Sequence, residues 1–109
     1  MKSVIQESLD TCPYCFNRIQ EGCGVWHHIY NGTSNRAKSE ADGMKIYIHP
    51  IPCHQEIHSS AIKLMGLKAY YQPKWMEIYG KTEEEFIERY GQNFIVRYEE
   101  MRRNYEQYD

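Results

Sequence analysis

All five histidines and all four cysteines of this 109-residue chain fall between Cys12 and His58. They come in groups whose spacing suits chemistry. His27 and His28 are adjacent, and neighbours in a strand point to opposite faces, so the two can do different jobs. Cys53-His54-Gln55-Glu56-Ile57-His58 puts two imidazoles four residues apart, on one face of a helix, as two ligands of one metal require. His27 or His28, brought opposite His54 and His58, would complete a three-imidazole site for one divalent ion, with positions left open for water and substrate. The remaining histidine could then stand as a base, since an unperturbed imidazole titrates near pH ~6.5.

Cys12-Pro13-Tyr14-Cys15 is a C-x-x-C turn, open to metal binding or to redox chemistry. A thioredoxin-like redox pair wants a strand before it and a long helix after it. Here a polar loop with Asn17, Gly22 and Gly24 follows, which favours a metal knuckle. The first ten residues hold no apolar run of signal-peptide length. The expected compartment is therefore a reducing cytoplasm, where such cysteines bind metal and do not form disulfides.

These groups need elements to hold them. Val25 to Tyr30 is rich in β-branched and aromatic residues and reads as a strand. Asn31 to Gly43 is polar and reads as a loop, with room for a short helical turn from Ser39. Met44 to Ile48 alternates and forms the second strand of a long-looped hairpin, ended by Pro50 and Pro52. A helix from near Cys53 would carry His54, Ile57 and His58, and the hairpin would bring the first strand alongside its start. Residues 1–11 read as a loose polar lead-in. The C-terminal half reads as helical, with an apolar stripe through Ile62, Leu64, Met65, Leu67 and Tyr71. Pro73 would break a bond inside a helix, so it predicts the start of a new one. Gly80 ends that helix, and Thr82-Glu83-Glu84-Glu85 is a capping box for the next, which Gly91 stops. A last helix is expected from Asn93 to Tyr108. One domain over residues 1–109 is expected, with a core at 12–60 and a helical extension at 61–109.

Thirteen basic against 15 acidic residues leave a net charge of −2, which counts against a strongly basic nucleic-acid-binding surface. Lys63, Lys68, Lys74, Arg97, Arg102 and Arg103 could still form a local basic face or a merely solvated one. Ten tyrosines and two tryptophans at helical spacing read mainly as core. No apolar run approaches the ~20 residues of a membrane span.

The His-His strand, the loop and the Cys-His helix together resemble the HNH, or His-Me finger, endonucleases. The likeness is closest to small phage and prophage HNH-like proteins associated with recombination. It is carried by His27-His28-Ile29, by the Gly-x-x-Asn-Arg-x-x-Ser-Glu-x-x-Gly pattern over Gly32 to Gly43, by Cys53-His54, and by the tail Glu85 to Phe94. It covers about residues 12–95. The resemblance implies an α+β fold, a zinc-stabilised ββα-metal core with a helical C-terminal extension. It implies His28 as general base, and His27, His54 and His58 as ligands of a catalytic divalent metal such as Mg²⁺. Asn35 and Arg36 become candidate substrate contacts. Relatives often carry a second C-x-x-C at the end of strand two, where this chain has His49-Pro50-Ile51-Pro52-Cys53. A structural Zn²⁺ held by Cys12, Cys15, His49 and Cys53 is the corresponding expectation, with Cys23 as the rival to His49. The family's middle Asn, which steadies the base-bearing loop, is replaced here by Asp42 or Gly43.

The implied activity is metal-dependent hydrolysis of DNA phosphodiesters, in a phage-encoded or bacterial host cytoplasmic protein, with DNA as partner and no membrane. Two other readings stay open. One is a non-catalytic zinc module that binds nucleic acid or protein. The other is a nuclease active only with a recombination or packaging protein.

Overall fold

Val25–His28 (β1) and Lys45–Ile48 (β2) pair antiparallel in the computed structural model, with His27 opposite Ile46 and His28 opposite Lys45. The structure describes residues 1–106, so the expected end of the last helix at Tyr108 lies outside the described residues. Five helices accompany this two-stranded sheet among the described residues, making a small α+β protein: α1 (Asn35–Ala41), α2 (Gln55–Ser59), α3 (Ala61–Tyr79), α4 (Glu83–Tyr90) and α5 (Phe94–Glu106). The chain divides into two compact units, Met1–Ser59 and Ser60–Asp109.

In the first unit, β alternation sends His27 and Ile46 inward, and both are buried with Ile29, Tyr30, Met44, Ile48 and Ile57. The helical part of the β1–β2 connection begins at Asn35, four residues before the expected turn at Ser39. Its polar sequence hides the helix because only one position, Ser39, is buried. That hydroxyl accepts from Tyr30 N at 3.2 Å and donates to Met44 O at 2.6 Å, tying the end of β1 to the start of β2. Ser39→Ala should remove both of these bonds, leaving Met44 O only its bond from Ile29 N, and cost about 1–3 kcal/mol, readable as a lower urea midpoint.

Residues 1–11 are not a loose lead-in. Val4 N donates to Gly43 O at 2.9 Å and Ser3 Oγ to Lys45 O at 2.6 Å. The Gln6 amide brackets the Tyr47 backbone, accepting from its N at 2.6 Å and donating to its O at 3.1 Å. Polar side chains here satisfy the open edge of β2, a role that hydrophobic patterning does not reveal. Gly43, at φ 69, lies so close under Lys2 that a Cβ would collide with its carbonyl.

The second unit packs Trp75, Phe86, Tyr90 and Phe94 edge-to-face, with centroid separations of 5.3 Å for Trp75–Phe86 and 5.9 Å for Phe86–Phe94. Pro73 does not start a helix: α3 runs through it. The ring lies on an exposed position, while Tyr71, Gln72 and Trp75 on either side are buried. That packing outweighs the ~3 kcal/mol an internal proline costs. Gln72 accepts from Phe94 N at 2.9 Å and donates to Asn93 Oδ1 at 3.1 Å, fixing the start of α5. Gly80 and Gly91 end α3 and α4 in left-handed conformations, and the Thr82–Glu85 capping box is complete. Thr82→Ala should lower stability by about 1 kcal/mol in a denaturant melt.

Candidate metal centres

Two groups of ligand-type side chains converge in the first unit: Cys12, Cys15, His49 and Cys53, and separately His27, His54 and His58. In each, the potential ligand atoms all lie within 4.8 Å of one another.

The knuckle that presents Cys12 and Cys15 is closed by local backbone bonds. Phe16 N donates to Cys12 O at 2.7 Å, Cys12 N donates to Asn17 O at 2.9 Å, and Thr11 bridges to Arg18. The turn needs Phe16 at φ 65, a costly conformation for a side chain that is 78% exposed. Of the other two members, His49 immediately precedes the irregular turn Pro50–His54 and Cys53 lies within it. Two thiolates at ~2.3 Å from a tetrahedral zinc stand ~3.8 Å apart, and a thiolate and an imidazole nitrogen ~3.6 Å apart. Cys12 Sγ and Cys53 Sγ are 3.7 Å apart, and His49 Nδ1 is 3.4 Å from Cys15 Sγ and 3.7 Å from Cys53 Sγ. His49 Nε2 lies 2.8 Å from the Arg18 carbonyl, so it carries the proton and Nδ1 is left as donor to a metal. These residues fit a structural zinc. Burial pushes the Cys53 thiol up to about 12, helped by the neighbouring Cys15 and Cys12. Burial also works against the Cys12 thiolate, but hydrogen bonds from the backbone of Cys15, His49 and Tyr14 win and bring it to about 7. Crowded thiols with one favoured thiolate are what a cation would relieve. Cys23 is exposed and stands apart from this group, which takes His49 as its fourth member.

The same turn feeds the second group. Cys53 points to the first centre and the next residue, His54, to the second, one helical turn before His58. Ring centroids are 4.4 Å apart for His54–His58, 5.2 Å for His27–His58 and 5.6 Å for His27–His54. Burial, then the neighbouring His58, hold the His54 imidazole below its ordinary pKa, which favours the neutral, metal-binding form. The His27 Nε2 atom is buried and makes no hydrogen bond among the described residues. Three imidazoles around an open space suit a divalent transition metal.

That space is a cavity of about 230 Å³ lined by Trp26, His27, His28, Asn31, Arg36, His54 and His58. His28, on the opposite face of β1 from His27, reaches the same cavity from its edge. Its Nε2 lies 3.3 Å from Glu40 Oε1. Lys45 Nζ binds both Glu40 oxygens at 2.8 and 3.1 Å. Arg36 is in the cavity wall. Asn35 is not among its lining residues, whereas Asn31, just after β1, is.

Ser39 and Glu40 stand in the loop pattern that carries the family resemblance but have no role assigned from sequence, and Asn31 is not singled out at all. A helical reading from Asn35 would have found two of them, because Arg36, Ser39 and Glu40 follow i, i+3, i+4 spacing along one side. No helix among the described residues is long and apolar enough to cross a membrane. Comparison of the chain with protein-family models, with curated proteins and with solved structures finds no match to any of them.

Proposed function

We propose that this protein is a metal-dependent DNA endonuclease of the HNH type, with a zinc-stapled ββα-metal core and a helical extension. The observation that carries the reading is one cavity lined by a histidine triad, a separate histidine and an arginine. Such a set matches the needs of phosphodiester hydrolysis. His28 takes the proton from the attacking water, and Arg36 pairs with a non-bridging phosphate oxygen. His27, His54 and His58 would hold the catalytic ion, which when bound neutralises charge on the phosphate and the departing oxygen. Cys12, Cys15, His49 and Cys53 would hold the zinc, and so fix the turn that carries His54. Products would carry 5′-phosphate and 3′-hydroxyl ends.

The test is nicking of supercoiled plasmid by the zinc-loaded chain with Mg²⁺, Mn²⁺ or Ni²⁺. Nicked circles that depend on the added ion support the reading. A chain inert with every ion, on single- and double-stranded DNA, sinks it. The net charge of −2 and the missing middle Asn favour a second reading, a non-catalytic zinc module that binds nucleic acid or another protein. It predicts one tightly held zinc, no second divalent ion, and no cleavage under any condition.

A further inference from the structure

We infer that Glu40 is the positioning residue of this site, setting the ring orientation and tautomer of His28; the inference rests on the nuclease reading above. The β1–β2 register places His28 opposite Lys45, and α1 brings Glu40 over that pair. The His28 Nε2 to Glu40 Oε1 distance of 3.3 Å is within hydrogen-bond reach. A carboxylate only accepts, so Nε2 carries the proton and Nδ1 keeps the lone pair. Nδ1 is then the nitrogen that takes a proton from water in the cavity that His28 lines.

The carboxylate is itself held. Lys45 Nζ reaches both of its oxygens, and the amino terminus of Met1 stands 3.5 Å from Oε2. The Lys45 bonds hold the Glu40 carboxyl down at about 2, so it is anionic wherever the protein is folded and active. Lys45 is braced in turn by the Trp26 ring, 4.8 Å from its Nζ. His28, Glu40 and Lys45 thus form a chain of base, orienter and anchor, the second group in the logic of an activated base. It also takes up the work that an Asn ahead of the second strand would do. Ser39, the adjacent residue, ties the backbone there, and Glu40 fixes the ring.

The experiment uses the zinc-loaded full chain, with ¹⁵N-histidine labelling and the plasmid assay side by side. Wild type should show a downfield, hydrogen-bonded Nε2–H resonance for His28. Glu40→Ala should lose it, and Lys45→Met, which leaves the carboxylate in place, should keep it. Glu40→Ala should lower kcat by roughly tenfold to a hundredfold, a part of the ~10²–10⁴ that a general base contributes, with KM and affinity for the catalytic ion unchanged. Glu40→Gln, which retains an oxygen acceptor, should recover part of the loss. A structural role alone would move folding or metal affinity instead. If wild type cleaves and Glu40→Ala keeps either the resonance or full kcat, the positioning role is overturned and the nuclease reading stands. A wild type that cleaves nothing overturns both.

Discussion

His28→Ala is expected to reduce plasmid nicking by about 10²–10⁴-fold while the protein stays folded and keeps its metals. The reason is the strand alternation of β1. His27 is buried among the core residues and joins His54 and His58, while His28 points the other way, onto Glu40. On the proposed assignment, removing the His28 ring takes away the proton acceptor without touching either ligand set. His27→Ala should differ in kind: it removes a buried ligand, so the catalytic ion binds weakly and activity is partly recovered at high metal concentration. Measuring nicking rate against metal concentration for the two variants separates them. If high metal rescues His28→Ala as well, the assignment of unequal roles to the pair is wrong.

Stripping the structural zinc is expected to unfold the first unit. Zinc bound by four such ligands in small peptides has an apparent binding free energy of ~10–16 kcal/mol, comparable with the ~5–15 kcal/mol that holds a whole domain together. Cys12 and Cys53 are fully buried, so without a cation their thiols sit in the core with imperfect partners. Chelation, or Cys12→Ser, should collapse the dispersed backbone amide resonances of β1 and β2, and zinc should restore them in the chelated wild type only. Uptake of zinc must release protons from the thiols, so affinity should fall as pH is lowered. Loss of zinc should also end cleavage, because Cys53 and His54 share one turn. Retention of the β1–β2 amide pattern after complete chelation would contradict this.

The chemistry-bearing residues were legible from spacing because few alternatives exist for clustered His and Cys. The polar loop after Cys12-Pro13-Tyr14-Cys15 favours a knuckle over a redox pair, and His54 and His58 share a face in any helix. The hairpin was equally plain, since Met44 to Ile48 alternates. Three features were not legible, each for a physical reason. The helix at Asn35–Ala41 buries a single serine, so no apolar period marks it. The N-terminal residues dock through backbone and amide hydrogen bonds, which leave no hydrophobic trace. The continuation of α3 through Pro73 is decided by burial of Tyr71, Gln72 and Trp75, a tertiary effect that overrides local propensity. The choice between His49 and Cys23 also required three dimensions, because both stand near a knuckle in sequence and only His49 is turned toward it.

The two proposed metal centres have separate tasks, and a metal count distinguishes two centres from one. Wild-type protein dialysed against buffer should retain one zinc per chain, then bind a second, weaker divalent ion as Mn²⁺ or Ni²⁺ is titrated in. His54→Ala should lose the second ion and the cleavage activity together, while keeping the zinc. A single metal per chain at saturation, with cleavage unaffected by His54→Ala, would contradict the assignment of a second, catalytic centre.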